Sequence, residues 1–235
     1  MAIAKPTDDF ISTATGSYPG VLVARSDVLQ HYSFNPAGIE RISHRTVPTP
    51  MQIEPYSSAW PTSYAVLAAR IHAHLPATEL LYMQHVGSTS IPNMPAKPVI
   101  DIDIVVRDVT DEAAYRPGLE AAGLQFLCRE PEWWGHRMTY AAEPYANVHI
   151  FGPEAPEPLR HRLFRDYLLS EAGGRDREMY ADKKRKVMQE WKESGDAKFM
   201  YNDRKEETVR DILGRAFVHA GIVGSEEEYI KMSKD

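Results

Sequence analysis

From Val99 to Val106 the chain reads Val-Ile-Asp-Ile-Asp-Ile-Val-Val, with apolar and acidic residues alternating at its centre. Successive strand side chains point to opposite faces, so Ile100, Ile102, Ile104 and Val106 make an apolar face suited to a core. Val99, Asp101, Asp103 and Val105 share the other face. Upstream, Leu80–Val86 predicts a strand that stops at Gly87. Pro92, Pro95 and Pro98 argue against a long helix between the two strands, because proline removes a donor and restricts its predecessor.

Other segments carry a helical period. Between Pro61 and Leu75, Tyr64, Leu67, Ala68, Ile71 and Leu75 recur at helical spacing, which predicts an amphipathic helix on the sheet. Asp111 to Ala122 predicts a second helix stopped by Gly123, followed by a strand from Leu124 to Cys128. Pro131 to Arg137 should form a turn entering a hairpin with arms Arg137 to Ala142 and Ala146 to Ile150. Further on, Leu159, Leu163, Phe164, Tyr167 and Leu168 form an apolar stripe, and Gly173-Gly174 is expected to end that helix. Two more helices are expected, from about Asp176 to Ser194 and from about Asp203 to Ala220.

This pattern predicts an α/β (α+β) fold, a mixed sheet flanked by helices with a C-terminal helical part. Residues 1–50, rich in Pro, Gly, Ser and Thr and ending in Thr46-Val-Pro-Thr-Pro50, read as an extension that is poorly ordered or packed on the surface. A core over 51–155, a helical part over 156–222 and a polar tail over 223–235 with solvated glutamates complete the division. The chain's 235 residues, 43% hydrophobic and 26% charged, suit a globular protein. A net charge of −6 makes long nucleic acid a poor partner. One cysteine excludes an intrachain disulfide framework, no apolar run reaches membrane-spanning length, and no secretory or transit pattern opens the chain. Cytoplasm is therefore the expected location.

The chemistry centres on Asp101 and Asp103. Two carboxylates about 4 Å apart at an effective dielectric of about 20 repel by roughly 4 kcal/mol, so something positive must offset them. Magnesium, with manganese as its substitute, takes oxygen ligands and pairs one or two carboxylates with substrate phosphates. The Gly87 turn permits close backbone approach, and Ser88, Thr89 and Ser90 offer hydroxyls and amides to phosphate oxygens. Without the aspartates the same turn would read as an ordinary rigid loop. Lys97 precedes a proline at the strand entrance and faces either that loop or solvent. Arg137 is a candidate phosphate contact or a surface arginine, and the adjacent Trp133 and Trp134 are either a base-stacking platform or buried anchors. Arg165, Lys183 and Lys205, on the helical part, are candidates to hold a triphosphate or to lie on solvated faces.

The run His85-Val-Gly-Ser-Thr-Ser-Ile-Pro-Asn-Met-Pro-Ala-Lys-Pro-Val-Ile-Asp-Ile-Asp resembles the signature of the GrpB family. Phe164-Arg-Asp-Tyr-Leu168 resembles a second family block, and Tyr180 with Lys183 or Lys184 resembles a third. The resemblance spans roughly residues 53 to 220. It implies a fold of the DNA polymerase beta nucleotidyltransferase superfamily, in which a Gly-Ser turn and a D-x-D strand bind metal and nucleotide. It supports Lys97, Arg165 and Lys183 as ligand contacts. Asn93 stands where the family has glycine, a position asparagine can hold because it tolerates left-handed backbone. A third carboxylate usual in active nucleotidyltransferases has no clear counterpart. On the expected partner strand Tyr145 to Phe151 its place falls to His149, a candidate for a metal, phosphate or base contact, with Glu143 nearby in a turn.

Three readings follow. The first is magnesium-dependent nucleotidyl transfer from a nucleoside triphosphate to an unidentified small-molecule or protein acceptor, with Asp101 and Asp103 as metal ligands and catalytic residues. The second is an inactive module that binds a nucleotide or phosphate ligand. The third is a domain serving another enzyme, since the resemblance also occurs in chains joined to dephospho-coenzyme A kinase. This sequence carries no P-loop of its own.

Overall fold

Alternation of side chains places five of the sheet's six strands with one face on a core and the other toward a cleft, while helical periods supply the layers on both sides. The computed structural model describes residues 10–12, 22–32, 35–194, 201 and 203–233. In chain order its elements are β1 (Phe10–Ser12), β2 (Leu22–Ala24), α1 (Arg25–Leu29), β3 (Glu40–Arg41), α2 (Ala59–His74), β4 (Leu80–Val86), β5 (Ile100–Val106), α3 (Glu112–Ala121), β6 (Gln125–Glu130), β7 (His136–Ala142), β8 (Tyr145–Phe151), α4 (Glu157–Leu169), α5 (Gly174–Ser194), α6 (Asp203–His219) and α7 (Glu226–Met232). The main sheet runs β3-β6-β7-β8-β5-β4; β5 and β8 are parallel and the other neighbours antiparallel. A separate ribbon joins β1 and β2.

The core lies between one sheet face and helices α2 and α3. Ile100, Ile102, Ile104 and Val106 meet Val148 and Ile150 of β8, Leu67 and Ile71 of α2, and Tyr115 and Leu119 of α3. Truncating one such side chain, for example Ile104→Ala, costs about 2–5 kcal/mol, as transfer energy is lost and a cavity is left. On the other sheet face α4, α5 and α6 pack together around Leu168, Tyr180 and Ile212, and reach the 88–94 loop through Ile91 and Met94. The cleft opens between these helices and the sheet. No helix among the described residues is long and apolar enough to cross a membrane.

Two local expectations change. Helix α4 stops at Leu169, before the glycine pair, because Ser170 turns back: its Oγ donates to Tyr167 O at 2.7 Å and accepts from Gly173 N at 3.2 Å. Gly174 instead begins α5. The C-terminal glutamates belong to a helix, α7, capped by Ser225 and anchored by buried Tyr229 against Phe217. There Glu228 pairs with Arg25 at 2.7 Å, so these glutamates are not all simply solvated. In the N-terminal extension, Val23, Val28 and Leu29 are buried with Leu159 and Phe217, and β3 adds to the sheet beside β6. Residues 1–9, 13–21, 33 and 34 of that extension lie outside the described ones.

Candidate functional site

The site grows from the parity of four strands. In β5 the residues off the core face are Asp101 and Asp103; parallel pairing sets Asn147 beside Asp101 and His149 beside Asp103 on β8. Antiparallel pairing sets Val86 and Gln84 beside them on β4. Met138 of β7 stands opposite His149. Val86, Asp101, Met138, Asn147 and His149 floor a cleft of about 770 Å³, walled by His161 of α4, Lys184 of α5 and Lys205, Glu206 and Val209 of α6. Tyr32, Arg45 and Thr49 from the N-terminal extension close one side.

The phosphate-loop candidate follows β4. Gly87 has φ +67°, and a Cβ there would lie 2.4 Å from Asp101 Oδ2, so only glycine lets this backbone press against the carboxylate. A 3₁₀ turn over Ser88–Ser90 follows. Thr89 Oγ1 donates to Val99 O at 3.1 Å and lies 3.0 Å from His85 Nε2. A hydroxyl has one proton, so His85 must donate from Nε2, as a neutral imidazole does. Burial, with Arg165 adding to it, pulls His85 down to about 4. Ser90 Oγ donates to Gly87 O at 2.6 Å. The Thr89 and Ser90 hydroxyl protons are thus spent within the loop, while Ser88 lines the cleft. Asn93 adopts φ +63°, the left-handed backbone expected of it.

The two aspartates are held differently. Asp101 Oδ1 accepts from Asn147 Nδ2 at 2.8 Å, and burial raises its pKa against that hydrogen bond. Asp103, fully buried, accepts at Oδ2 from Gln84 Nε2 at 2.9 Å and from His161 Nδ1 at 2.9 Å. Burial disfavours charge on Asp103, yet the His161 imidazolium outweighs it and holds the carboxylate down. Burial likewise pulls His161 down, and Asp103 and Glu157 overcome it to raise the imidazole. Part of the positive charge demanded by the acidic pair is therefore supplied by the chain itself. Asp103 Oδ1 remains buried with no partner among the described residues.

That orphaned oxygen and the neighbouring Asp101 carboxylate are a hard oxygen donor set of the kind magnesium takes. The fit is partial: among the described residues no group of three His, Cys, Asp or Glu side chains is placed to hold a metal ion. Substrate oxygens and water would have to complete the shell. His149 is half-buried and held neutral, its pKa lowered to about 3 by desolvation and then by His136. Its Nδ1 lies 3.0 Å from His136 Nε2, and His136 Nδ1 lies 2.7 Å from Glu130 Oε2. Glu143 is in the β7–β8 turn, where its carbonyl accepts from Arg70, and is not part of the cleft lining.

Of the sequence candidates, Gly87, Ser88, Thr89, Lys97, Asp101, His149 and Lys205 line the cleft, with Asp103 directly behind it. Ser90, Arg137, Arg165 and Lys183 are outside that lining. Arg137 occupies the opposite face of β7 from Met138, so it turns to α3 and pairs with Glu112 at 3.0 Å. Arg165 donates to His85 O at 2.8 Å and so braces the end of β4. Lys184, rather than Lys183, enters the cleft, because Tyr180, Lys184, Val187 and Met188 share the buried stripe of α5. A lysine on an apolar helix face was the signal for it. Asn147 had the signal of parity with His149; His161 and Arg45 had none that separates them from surface residues. Trp133 lines the cleft and stacks on Tyr32 at 5.1 Å, whereas Trp134 is exposed.

Residues 50–215 match the family model described as GrpB protein. A UPF0157 protein of Halalkalibacterium halodurans is 40% identical over 162 residues, covering 68% of this chain and 80% of that protein. A UPF0157 protein of Streptomyces coelicolor is 34% identical over 162 residues, covering 68% and 81%. The crystal structure of conserved protein GrpB from Enterococcus faecalis shares the fold, with a TM-score of 0.57 and 24% identity over 71% of this chain and 99% of that one. Tyr32, Arg45 and Thr49 precede the family-matched segment.

Proposed function

For this chain, which belongs to the GrpB family, we propose metal-assisted nucleotidyl transfer from a nucleoside triphosphate to a small-molecule or protein acceptor. The observation that carries the reading is the contact of the Gly87 backbone with Asp101, beside a buried Asp103 oxygen that has no partner. Asp101 and Asp103 would hold the metal. When bound, magnesium would neutralise phosphate charge and favour an in-line displacement at the α-phosphorus.

The chain's own groups do the positioning. The Gly87 turn and Ser88 offer donors to phosphate oxygens, while His85, Thr89 and Arg165 keep that turn rigid. Asn147 aims Asp101, and Gln84 with His161 aims Asp103. Lys97 and Lys205 bring positive charge to the lining near Asp101. Calorimetry with each nucleoside triphosphate and magnesium, followed by pyrophosphate release in the presence of candidate acceptors, tests the reading. Binding that disappears in Asp101→Asn plus Asp103→Asn, together with pyrophosphate release, is the expected result; absence of nucleotide binding by the native protein overturns it.

One observation favours a second reading, a nucleotide- or phosphate-binding module without turnover. The β8 positions facing the aspartates hold Asn147 and neutral His149 instead of a third carboxylate. Nucleotide binding with no pyrophosphate release across an acceptor screen would select it.

A further inference from the structure

Three lysines converge on one part of the cleft lining, around Tyr180 and Tyr201, with Lys97 and Lys205 within electrostatic reach of Asp101. Lys97 Nζ and Lys205 Nζ lie 4.2 Å and 5.1 Å from the centre of the Tyr201 ring, and Lys184 Nζ lies 4.7 Å from that of Tyr180. Lys184 is 2% exposed and donates to Pro95 O at 2.6 Å. The charges that face it are Lys205 from α6 and Arg185 from its own helix, both positive. Lys97 meets Met51 Sδ at 3.8 Å, Lys205 and, from β5, the charge of Asp101. Asp203 and Glu206 line the cleft from α6, but Glu206 is engaged by Arg210 and, at 3.1 Å, by His31. A buried ammonium with no carboxylate partner is unfavourable. Three basic side chains on one lining make a surface that becomes complementary to a polyanion when all are charged.

We propose that Lys97, Lys184 and Lys205 form an oligophosphate subsite, and that an oligophosphate chain enters it together with a proton taken from solvent. The proposal deepens the nucleotide reading and rests on it for what that chain is attached to. Burial, with Lys205 adding to it, pulls Lys184 down to about 6 and Lys97 to about 8. Near pH 7.5 the Lys184 amine is therefore mostly neutral. A phosphate oxygen brought close favours its charged form, raises its pKa and makes it recapture a proton. Affinity should consequently weaken as pH rises above about 6, by up to about tenfold per unit for one linked proton.

The test is calorimetric titration of inorganic tripolyphosphate in metal-free solution at pH 7.5, in two buffers of different ionisation enthalpy. The native protein should take up roughly one proton more than the probe's own titration explains. Lys184→Gln should lose that uptake and bind about tenfold more weakly or worse, the loss expected for a charge-assisted contact. Lys184→Arg should bind without the uptake, because guanidinium stays charged. Lys205→Gln, a change at a partly exposed position that leaves the buried wall intact, should weaken binding and keep the uptake. Tripolyphosphate binding without excess proton uptake in the native protein, or unchanged uptake in Lys184→Gln, would overturn the subsite. Proton-linked tripolyphosphate binding without pyrophosphate release from nucleotides sinks only the transfer reading. Nucleotide turnover without any tripolyphosphate binding sinks only the subsite.

Discussion

The two sides of the cleft carry opposite charges under opposite conditions. On the sheet side each aspartate is already hydrogen-bonded: Asp101 by Asn147, Asp103 by Gln84 and His161. On the helical side, Lys184 is buried against the Pro95 carbonyl and the Tyr180 ring, with no carboxylate partner among the described residues. Buried charges are tolerated when paired and costly when they are not. The acidic side is therefore part of what holds the fold together, and the basic side is a cost the fold carries until an anion arrives.

Mutations on the two sides should then move stability in opposite directions. Asp103→Ala removes the partner of both His161 and Gln84, and should destabilise by about 3–5 kcal/mol in urea unfolding, the range for breaking a buried ion pair. Lys184→Met should instead stabilise by roughly 1–4 kcal/mol, since a well-packed apolar chain replaces a desolvated amine. Its gain should shrink as pH rises. The lysine's folded pKa, about 6, lies below its ordinary 10.5, so the unfolded chain binds more protons between those values and native stability climbs with pH there. A destabilised Lys184→Met, or a neutral Asp103→Ala, would break the contrast.

At the junction of the two sides, Gly87→Ala should cost about 1–3 kcal/mol in backbone strain alone. The new methyl would also displace Asp101, which lies within 3.0 Å at its Cβ and Cγ. Loss of nucleotide binding beyond the loss of stability would show that the turn and the carboxylate act together; an unchanged Tm and affinity would separate them.

How far this contrast was legible in the sequence follows from the kind of periodicity involved. A two-residue period leaves only two choices of face, so Asp101, Asp103 and the core role of Ile100, Ile102 and Ile104 could be read directly. The same parity, carried across to β7, would have turned Arg137 away from Met138 and out of the cleft. A helical period leaves a wide range of directions, and there one residue decides: Lys183 and Lys184 differ by about 100° around α5. The resemblance placed both in one motif. Arg45 and His161 come from segments far from the signature, and only the chain's long-range packing brings them to Asn147 and Asp103.

Acid should loosen the sheet side in part through His85. Its folded pKa is about 4 against an ordinary 6.5, because burial and Arg165 both disfavour the charged ring. A histidine held neutral destabilises the fold only when it must charge, so stability is whole above about 6.5 and falls as pH drops toward 4. The difference, roughly 2.5 units at 1.36 kcal/mol each, discounted for partial exposure, gives a loss of about 2 kcal/mol. His85→Gln keeps a donor for Thr89 without a titrating ring, and should flatten the stability curve between pH 6.5 and 4. An equally steep fall in the variant would assign the acid lability in this window to other groups, His149 foremost, whose pKa is likewise lowered from 6.5, to about 3; the depressed pKa of Asp103 withdraws stability only as pH falls below its ordinary 3.8.

The smallest effect should come from Arg45, which ties the N-terminal extension to the acidic side. Its Nη2 donates to Asn147 Oδ1 at 2.8 Å, and Asn147 Nδ2 donates onward to Asp101 Oδ1 at 2.8 Å. Arginine has no acceptor, so its presence decides which end of the amide faces it and leaves the NH₂ for Asp101. Arg45→Ala should cost about 0.5–1.5 kcal/mol, the net worth of a hydrogen bond in a partly exposed place. More telling is the carboxyl of Asp101, already raised by burial and opposed by the Asn147 bond. With the amide free to turn, that opposition weakens, and Asp101 should titrate higher in Arg45→Ala when followed by carboxyl carbon NMR. Arg45→Lys, which still donates, should restore the native titration in part. An Asp101 titration identical in native and Arg45→Ala protein would mean that Asn147 holds its orientation unaided, and that the extension closes the cleft without setting its chemistry.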